Sequence, residues 1–204
     1  MNKLVKDALV LTAITLIAGV CLGGVYEITK DPIARQEAQA KAEAYEQVFT
    51  DAAAFEEIEM DDTLIQTIRD QLDQEGYKAQ SIEEVMRAED QSGETLGYAF
   101  TVVTSEGYGG DIQFSMGVQN DGTLNGISIL SIGETAGLGM NADTPAFKDQ
   151  FVGKQVEKLQ YTKNGATQDD EINAISGATV TTNAMTNGVN AGLCAFRVME
   201  GGDQ

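Results

Sequence analysis

Two hydrophobic rhythms divide the chain. From Ala8 to Tyr26 the run ALVLTAITLIAGVCLGGVY holds no side chain charged at neutral pH. At the helical rise it extends about 28 Å, close to the roughly 30 Å of a bilayer's hydrocarbon core. The run therefore predicts an uncleaved transmembrane helix. Thr12 and Thr15 are placed to bond back to the preceding turn, and Gly19, Gly23 and Gly24 leave a smooth strip that another helix could approach. A cleaved secretory signal is the competing reading, because Lys3 and Lys6 precede the run. Against it stand the length of the run, the lack of a compelling A-x-A site, and Val20 where a lipoprotein signal needs a small residue before Cys21. Lys3 and Lys6 also favour a cytoplasmic N-terminus, which puts the remainder of the chain outside the plasma (inner) membrane.

Helical patterning resumes after the anchor. Asp31 followed by Pro32 reads as an N-cap and first-turn pair, opening a second helix through IARQEAQAKAEAYEQVF. The segment TLIQTIRDQLDQEG predicts a short helix that stops at Gly76. Beyond residue 80 the period changes from helical to alternating. SIEEVMRAE, LGYAFTVVTS, DIQFSMGVQ and TLNGISILSI read as four strands, with a hairpin turn at Asp121-Gly122. A short helix is expected to start at Thr144-Pro145. EKLQYTK and ATQDDEINAI suggest one more hairpin through Asn164-Gly165, and a final helix spans about Thr179 to Met199. Val180, Ala184, Gly188, Ala191, Ala195 and Val198 fall on one face of that helix. The expected fold class is α+β: an antiparallel sheet with helices packed on it, behind a single N-terminal transmembrane helix and stalk.

Composition narrows the chemistry. The 204 residues include no His and no Trp, so imidazole-dependent triads, His-containing metal sites and His-ligated haem are excluded. The net charge of -19 resides outside the anchor, since residues 1 to 35 carry a net +1. Such an acidic body repels nucleic acid. Cys21 lies in the apolar run and Cys194 in the final helix, where both read as packing groups. No residues at metal-ligand spacing occur.

Two motifs remain. Gly137-x-Gly139-x-x-Ala142, with Glu157 at the acidic spacing, formally matches a dinucleotide fingerprint, but Asp143, Thr144 and Pro145 restart the chain where a long helix is required. Ser176-Gly177-Ala178-Thr179 sits where a strand turns into a helix. Unpaired N–H groups and the positive end of the helix dipole converge there, so the spacing fits either an anion site or an ordinary N-cap with a tight turn.

Ser176-Gly177-Ala178-Thr179 resembles the Ser/Thr-Gly-Ala-Thr signature of the FMN-binding domain family, in which FMN is esterified through its phosphate to the last Thr. Glu134-Thr135-Ala136-Gly137-Leu138-Gly139 resembles the Glu-Thr-Pro-Gly-Leu-Gly loop of the same family, followed by Phe147 and Phe151 in a short helix. Gly107-Tyr108-Gly109-Gly110 fits a third segment. With the anchor, the resemblance covers essentially the whole chain and extends to the G subunits of Rnf-type ion-translocating electron-transport complexes. The C subunits of Na⁺-translocating NADH:quinone oxidoreductases are related. Two positions depart from the pattern: Ala136 replaces Pro, and Asn173 stands where the motif read by flavin transferases usually has Asp.

The resemblance implies a membrane-bound electron-transfer protein with covalent FMN on Thr179. Ser176, Gly177 and Ala178 would surround the phosphate. Glu134, Thr135, Gly137, Leu138, Gly139 and Tyr108 would lie about the flavin. Thr181 or Thr182 is a possible alternative acceptor, and an anchored binding or assembly module without covalent flavin is the alternative class. The implied partners are the other membrane subunits and a flavin transferase. The expected organisation is an anchor over 1–30, a helical stalk and acidic connector over 31–80, and an FMN-binding domain over 81–204.

Overall fold

The computed structural model describes residues 2–201 and divides into two compact units, Met1–Ala40 and Lys41–Gln204. Helix α1 runs from Lys3 to Val48, and the first unit consists of its N-terminal part. Its apolar run is long enough to cross a membrane. The expected back-bonds form: Thr12 Oγ1 donates to Ala8 O at 2.9 Å, and Thr15 Oγ1 to Leu11 O at 3.1 Å. Both hydroxyls are thus satisfied inside the helix, as an apolar medium requires.

The expected break at Asp31-Pro32 does not occur, because Pro32 lies inside the continuous helix α1. Proline removes one backbone donor and crowds the preceding turn. Here one missing bond is outweighed by a helix-forming sequence on both sides.

In the second unit, α1 ends in buried Ala44, Tyr45 and Val48, followed by β1 (Ala54–Glu57), α2 (Asp62–Glu75) and β2 (Gln80–Glu89). Strand β1 has no clear signal in the sequence, being four residues long in an acidic stretch. Helix α2 matches the expected segment: the Asp61 carboxylate accepts from Leu64 N at 2.8 Å, and Gly76 closes the helix at φ +90°. Strands β3 (Thr95–Thr104), β4 (Ile112–Gln119) and β5 (Leu124–Ile132) follow the expected runs. The five strands form an antiparallel meander in the order β1-β2-β3-β4-β5.

Alternation along β3 explains how this sheet is covered. Phe100 and Val102 point into the main core with α4 (Thr179–Gly201), whereas Ala99 packs on the opposite face with Tyr45, Val48 and Phe49. Thr101, also on that second face, shares a 2.7 Å hydrogen bond with the Tyr45 hydroxyl. Burial and the carboxylate of Glu84 push the Tyr45 phenol well above its ordinary value. Strand β3 is buried on both sides, which is why its sequence reads as a nearly continuous apolar run.

Helix α4 is more deeply enclosed than a one-sided pattern suggests. Ala184, Gly188, Ala191 and Ala195 are buried as expected, but so are Met185, Val189, Asn190 and Phe196. Val180 departs from the expected face at 50% exposure, and Val198 is only partly buried. A Cβ on Gly188 would lie 2.8 Å from the Phe114 ring, and one on Gly192 would overlap Met116 Sδ. These glycines set how closely α4 lies on β4.

The expected second hairpin is corrected. Strands β6 (Gln160–Thr162) and β7 (Glu171–Asn173) pair in parallel, with Tyr161 opposite Ile172. Side chains, not a hairpin ladder, satisfy the connecting loop. The Glu171 carboxylate accepts from Thr167 N at 2.7 Å and Gln168 N at 3.2 Å, and Asn173 Oδ1 accepts from Ala166 N at 2.6 Å. Helix α3 (Pro145–Lys148) starts at Thr144 as expected.

Candidate functional site

Each segment of the site ends on a rigid element. The Gly107–Gly110 turn joins β3 to β4, the loop from Glu134 to Gly139 leaves β5, and Ser176 to Ala178 lead into α4 at Thr179. The structure brings the three together around Glu134. This buried side chain accepts from Gly109 N through Oε1 at 3.2 Å and from the Thr181 hydroxyl through Oε2 at 3.1 Å. One carboxylate therefore fastens two turns and the first turn of α4. Such charge-assisted bonds are stronger than neutral ones.

Close packing repeats the same convergence. Gly139 leaves no room for a side chain: a Cβ would overlap Glu134 Oε2 and sit 2.6 Å from Thr181 Oγ1. Gly177 takes φ +76°, and a Cβ there would lie 3.1 Å from Leu138 Cδ2, so the ETAGLG loop and the SGAT turn touch. Within the loop, Thr135 O accepts from Leu138 N and Met140 N, and Asn141 Nδ2 donates to Gly137 O. The loop then enters a 3₁₀ turn, Gly139–Asp143, after an antiparallel strand. That context rules out the dinucleotide fingerprint, which needs a parallel strand and a long helix.

The start of α4 holds three threonines in different surroundings. Thr181 is 1% exposed and bonds Glu134. Thr182 is 0% exposed, donates to Ala178 O at 2.9 Å and accepts from Ile175 N at 3.0 Å. Thr179 is half-buried, and its hydroxyl makes no hydrogen bond among the described residues. Thr182 N donates to Ala178 O, so the N–H groups of Thr179, Val180 and Thr181 precede the first backbone bond of the helix. Ser176 and Gly177 are exposed and Ala178 is buried. Around this opening lie exposed apolar side chains, Tyr108 at 75%, Leu138 and Val180. Exposed aromatic and aliphatic groups beside an unsatisfied helix start suit a ligand with an apolar ring and an anionic tail.

Several supporting residues escape sequence reasoning. Thr181 and Thr182 read there only as possible acceptors, yet they tie the helix start to Glu134 and to Ile175. Glu106 Oε2 receives Asn187 Nδ2 at 2.7 Å and Gln80 Nε2 at 3.0 Å, bracing the turn that carries Tyr108. The spacing of Asn183 and Asn187 on α4 is the available signal, since residues four apart share a helix face. Asn173 lies at the end of β7, with its N–H on Gln150 Oε1 at 2.7 Å. Among the described residues no cluster of His, Cys, Asp or Glu could hold a metal ion.

These features define a flavin-type domain, and comparison with known proteins agrees. Residues 107–193 match the FMN-binding domain, and residues 1–48 match the RnfG N-terminal region. The G subunit of the Na⁺-translocating ferredoxin:NAD⁺ oxidoreductase complex of Acetobacterium woodii is 31% identical, over 94% of this chain and 91% of the relative. Its proton-translocating counterpart from Clostridium ljungdahlii is 29% identical over the same shares. The C subunit of the Na⁺-translocating NADH-quinone reductase of Pasteurella multocida is 41% identical, but over only 35% of this chain and 31% of its own length. The chain belongs to the family of G subunits of Rnf-type ion-translocating oxidoreductase complexes, membrane-anchored proteins with an FMN-binding domain.

Proposed function

We propose that Thr179 carries FMN as a phosphoester on its Oγ1 and that the protein acts as a fixed redox relay in ferredoxin:NAD⁺ electron transport. The observation that carries this reading is the contrast among the three threonines. Thr179 alone has a hydroxyl that is both accessible and free of hydrogen bonds, and it stands where the three motif segments meet. Thr181 and Thr182 are closed off, so neither is the acceptor.

When bound, the flavin supplies the electron chemistry. The protein's residues do the holding. The N–H groups at the start of α4 and its dipole face the phosphate, which matters in a chain of net charge -19. Ser176 adds a hydroxyl, while Gly177 and Ala178 allow close backbone approach. Tyr108, Leu138 and Val180 offer apolar contact for the ring system, with Thr135 and Gly137 at the exposed edge of the loop. Glu134, Thr181 and the bare Cα of Gly139 keep those pieces in register. A covalent link prevents loss of the cofactor from a domain on the outer side of the membrane, the side that Lys3 and Lys6 favour.

The test is expression of the full chain with a flavin transferase, followed by a denaturing gel under ultraviolet light. A fluorescent band is expected for the wild type, for Thr181→Val and for Thr182→Val. Thr179→Ala should be dark, and peptide mass spectrometry should place the mass increment on Thr179. Fluorescence surviving in Thr179→Ala would refute the assignment, and a dark wild type would refute covalent attachment altogether.

A further inference from the structure

Away from the flavin-type site, a cavity of about 510 Å³ opens between α2 and the N-terminal half of β2. Its size lies within the usual range for small-molecule sites, roughly 300–1,000 Å³. Strand β1 covers β2 only along Met86–Glu89, so the edge from Gln80 onward is open on that side. Met60, Ile65, Ile68, Leu72, Ile82 and Val103 supply an apolar wall.

Two lining residues are unusual. Tyr77 and Gln80 are 4% and 8% exposed, yet the Tyr77 hydroxyl and Gln80 Oε1 have no hydrogen-bond partner. Buried polar atoms are nearly always paired, and leaving one unpaired costs about 1–3 kcal/mol. The other end of the Gln80 amide is fully used, on Thr104 Oγ1 and Glu106 Oε2, both at 3.0 Å, which fixes which way the amide faces. The two orphaned atoms are an acceptor, Gln80 Oε1, and a group that can donate, the Tyr77 hydroxyl. A ligand head that satisfies both must donate one hydrogen bond and accept another. The charged residues of the wall, Arg69 and Lys78 against Asp73, Glu83 and Asp111, are of mixed sign and favour neither an anion nor a cation.

We infer that this cavity binds a small neutral molecule with an amide head and an apolar body, the amide N–H meeting Gln80 Oε1 and its carbonyl receiving the Tyr77 hydroxyl. The site is independent of the flavin, so its test uses no flavin signal.

The probe is 4-fluorobenzamide, titrated against the full chain in nanodiscs and followed by fluorine NMR, with empty nanodiscs as the partition control. Fluorobenzene, which has the same ring without the amide, is the comparison ligand. Saturable binding in the millimolar range is expected for the amide, at least fivefold tighter than for fluorobenzene. Tyr77→Phe should weaken the amide about five- to tenfold while leaving fluorobenzene unchanged. Because the hydroxyl is unpaired without ligand, the same variant should be no less stable than wild type. Ile65→Trp, at a partly exposed wall position, should abolish binding of both ligands. Equal affinity for the two ligands would reduce the site to an apolar groove and overturn the inference. Absence of saturable binding, with Tyr77→Phe less stable than wild type, would show that water alone satisfies these atoms and would also overturn it.

Discussion

Gly139→Ala puts the geometry of the site to a quantitative test. The new methyl would overlap Glu134 Oε2 and stand 2.6 Å from Thr181 Oγ1 and 2.8 Å from Glu134 Cβ, where ordinary contact needs about 3.5 Å. Both neighbours are buried and bonded to each other at 3.1 Å, so neither can retreat without breaking that bond. Overpacking costs about 1–3 kcal/mol. Loss of a hydrogen bond to a buried carboxylate adds roughly 1.5–3 kcal/mol. Partial relaxation leaves an expected net loss of about 2–4 kcal/mol. Gly137→Ala, two residues earlier, is the control. It meets nothing within 4 Å, and its penalty is confined to the left-handed backbone at φ +75°, about 1–2 kcal/mol. Urea unfolding of the two variants in detergent should therefore separate them, with Gly139→Ala the weaker, and flavin loading on a denaturing gel should fall in the same order. If the two variants unfold at the same urea concentration and load flavin equally, the carboxylate-centred account of the site is wrong.

Three further outcomes follow from the packing around α4. Asn190, buried in that helix, accepts from Leu159 N at 2.7 Å and donates to Leu159 O at 2.9 Å; Asn190→Ala strands both backbone groups and should cost about 2–4 kcal/mol in chemical unfolding, whereas an unchanged midpoint would show that water replaces the amide. Although burial opposes it, hydrogen bonds from Arg197 and Gln71 hold the Glu75 carboxyl below its usual value. The folded pKa is thus depressed, so this contribution is present above the unfolded value near ~4.3 and is lost as pH falls through the folded one. Glu75→Gln should cost under about 1 kcal/mol at pH 7, because both partners are partly exposed, and the gap from wild type should close in acid; a gap that widens on acidification contradicts the linkage. Burial, with the charge of Glu75 beside it, pushes the Cys194 thiol up to about 12, so in a Cys21→Ser background iodoacetamide at pH 8 should label the chain only after unfolding.

The local code is strong wherever one residue type has one physical use. An uncharged run of bilayer length, an Asp-capped helix closed by Gly76, and alternating strands around Asp121-Gly122 can each be read without knowledge of the rest of the chain. The motif segments are equally legible as text, because a bare Cα or a hydroxyl at a helix start has few purposes. Where local pattern misleads, a distant or competing interaction decides the outcome. Pro32 reads as a helix start because its local preference is clear, but the flanking helical sequence carries α1 through it. Asn164-Gly165 carries a hairpin signal, yet Glu171 and Asn173 capture the loop's N–H groups and turn β6 and β7 parallel.

The sequence by itself determined the anchor, the meander and the three candidate segments, because these depend on periodicities and backbone freedoms within a dozen residues. Tertiary structure alone decided that the segments meet on Glu134 and that Thr181 and Thr182 are sealed while Thr179 is free. A hydroxyl's accessibility and partners are set by residues far away in the chain, here 47 positions apart for Thr181 and Glu134.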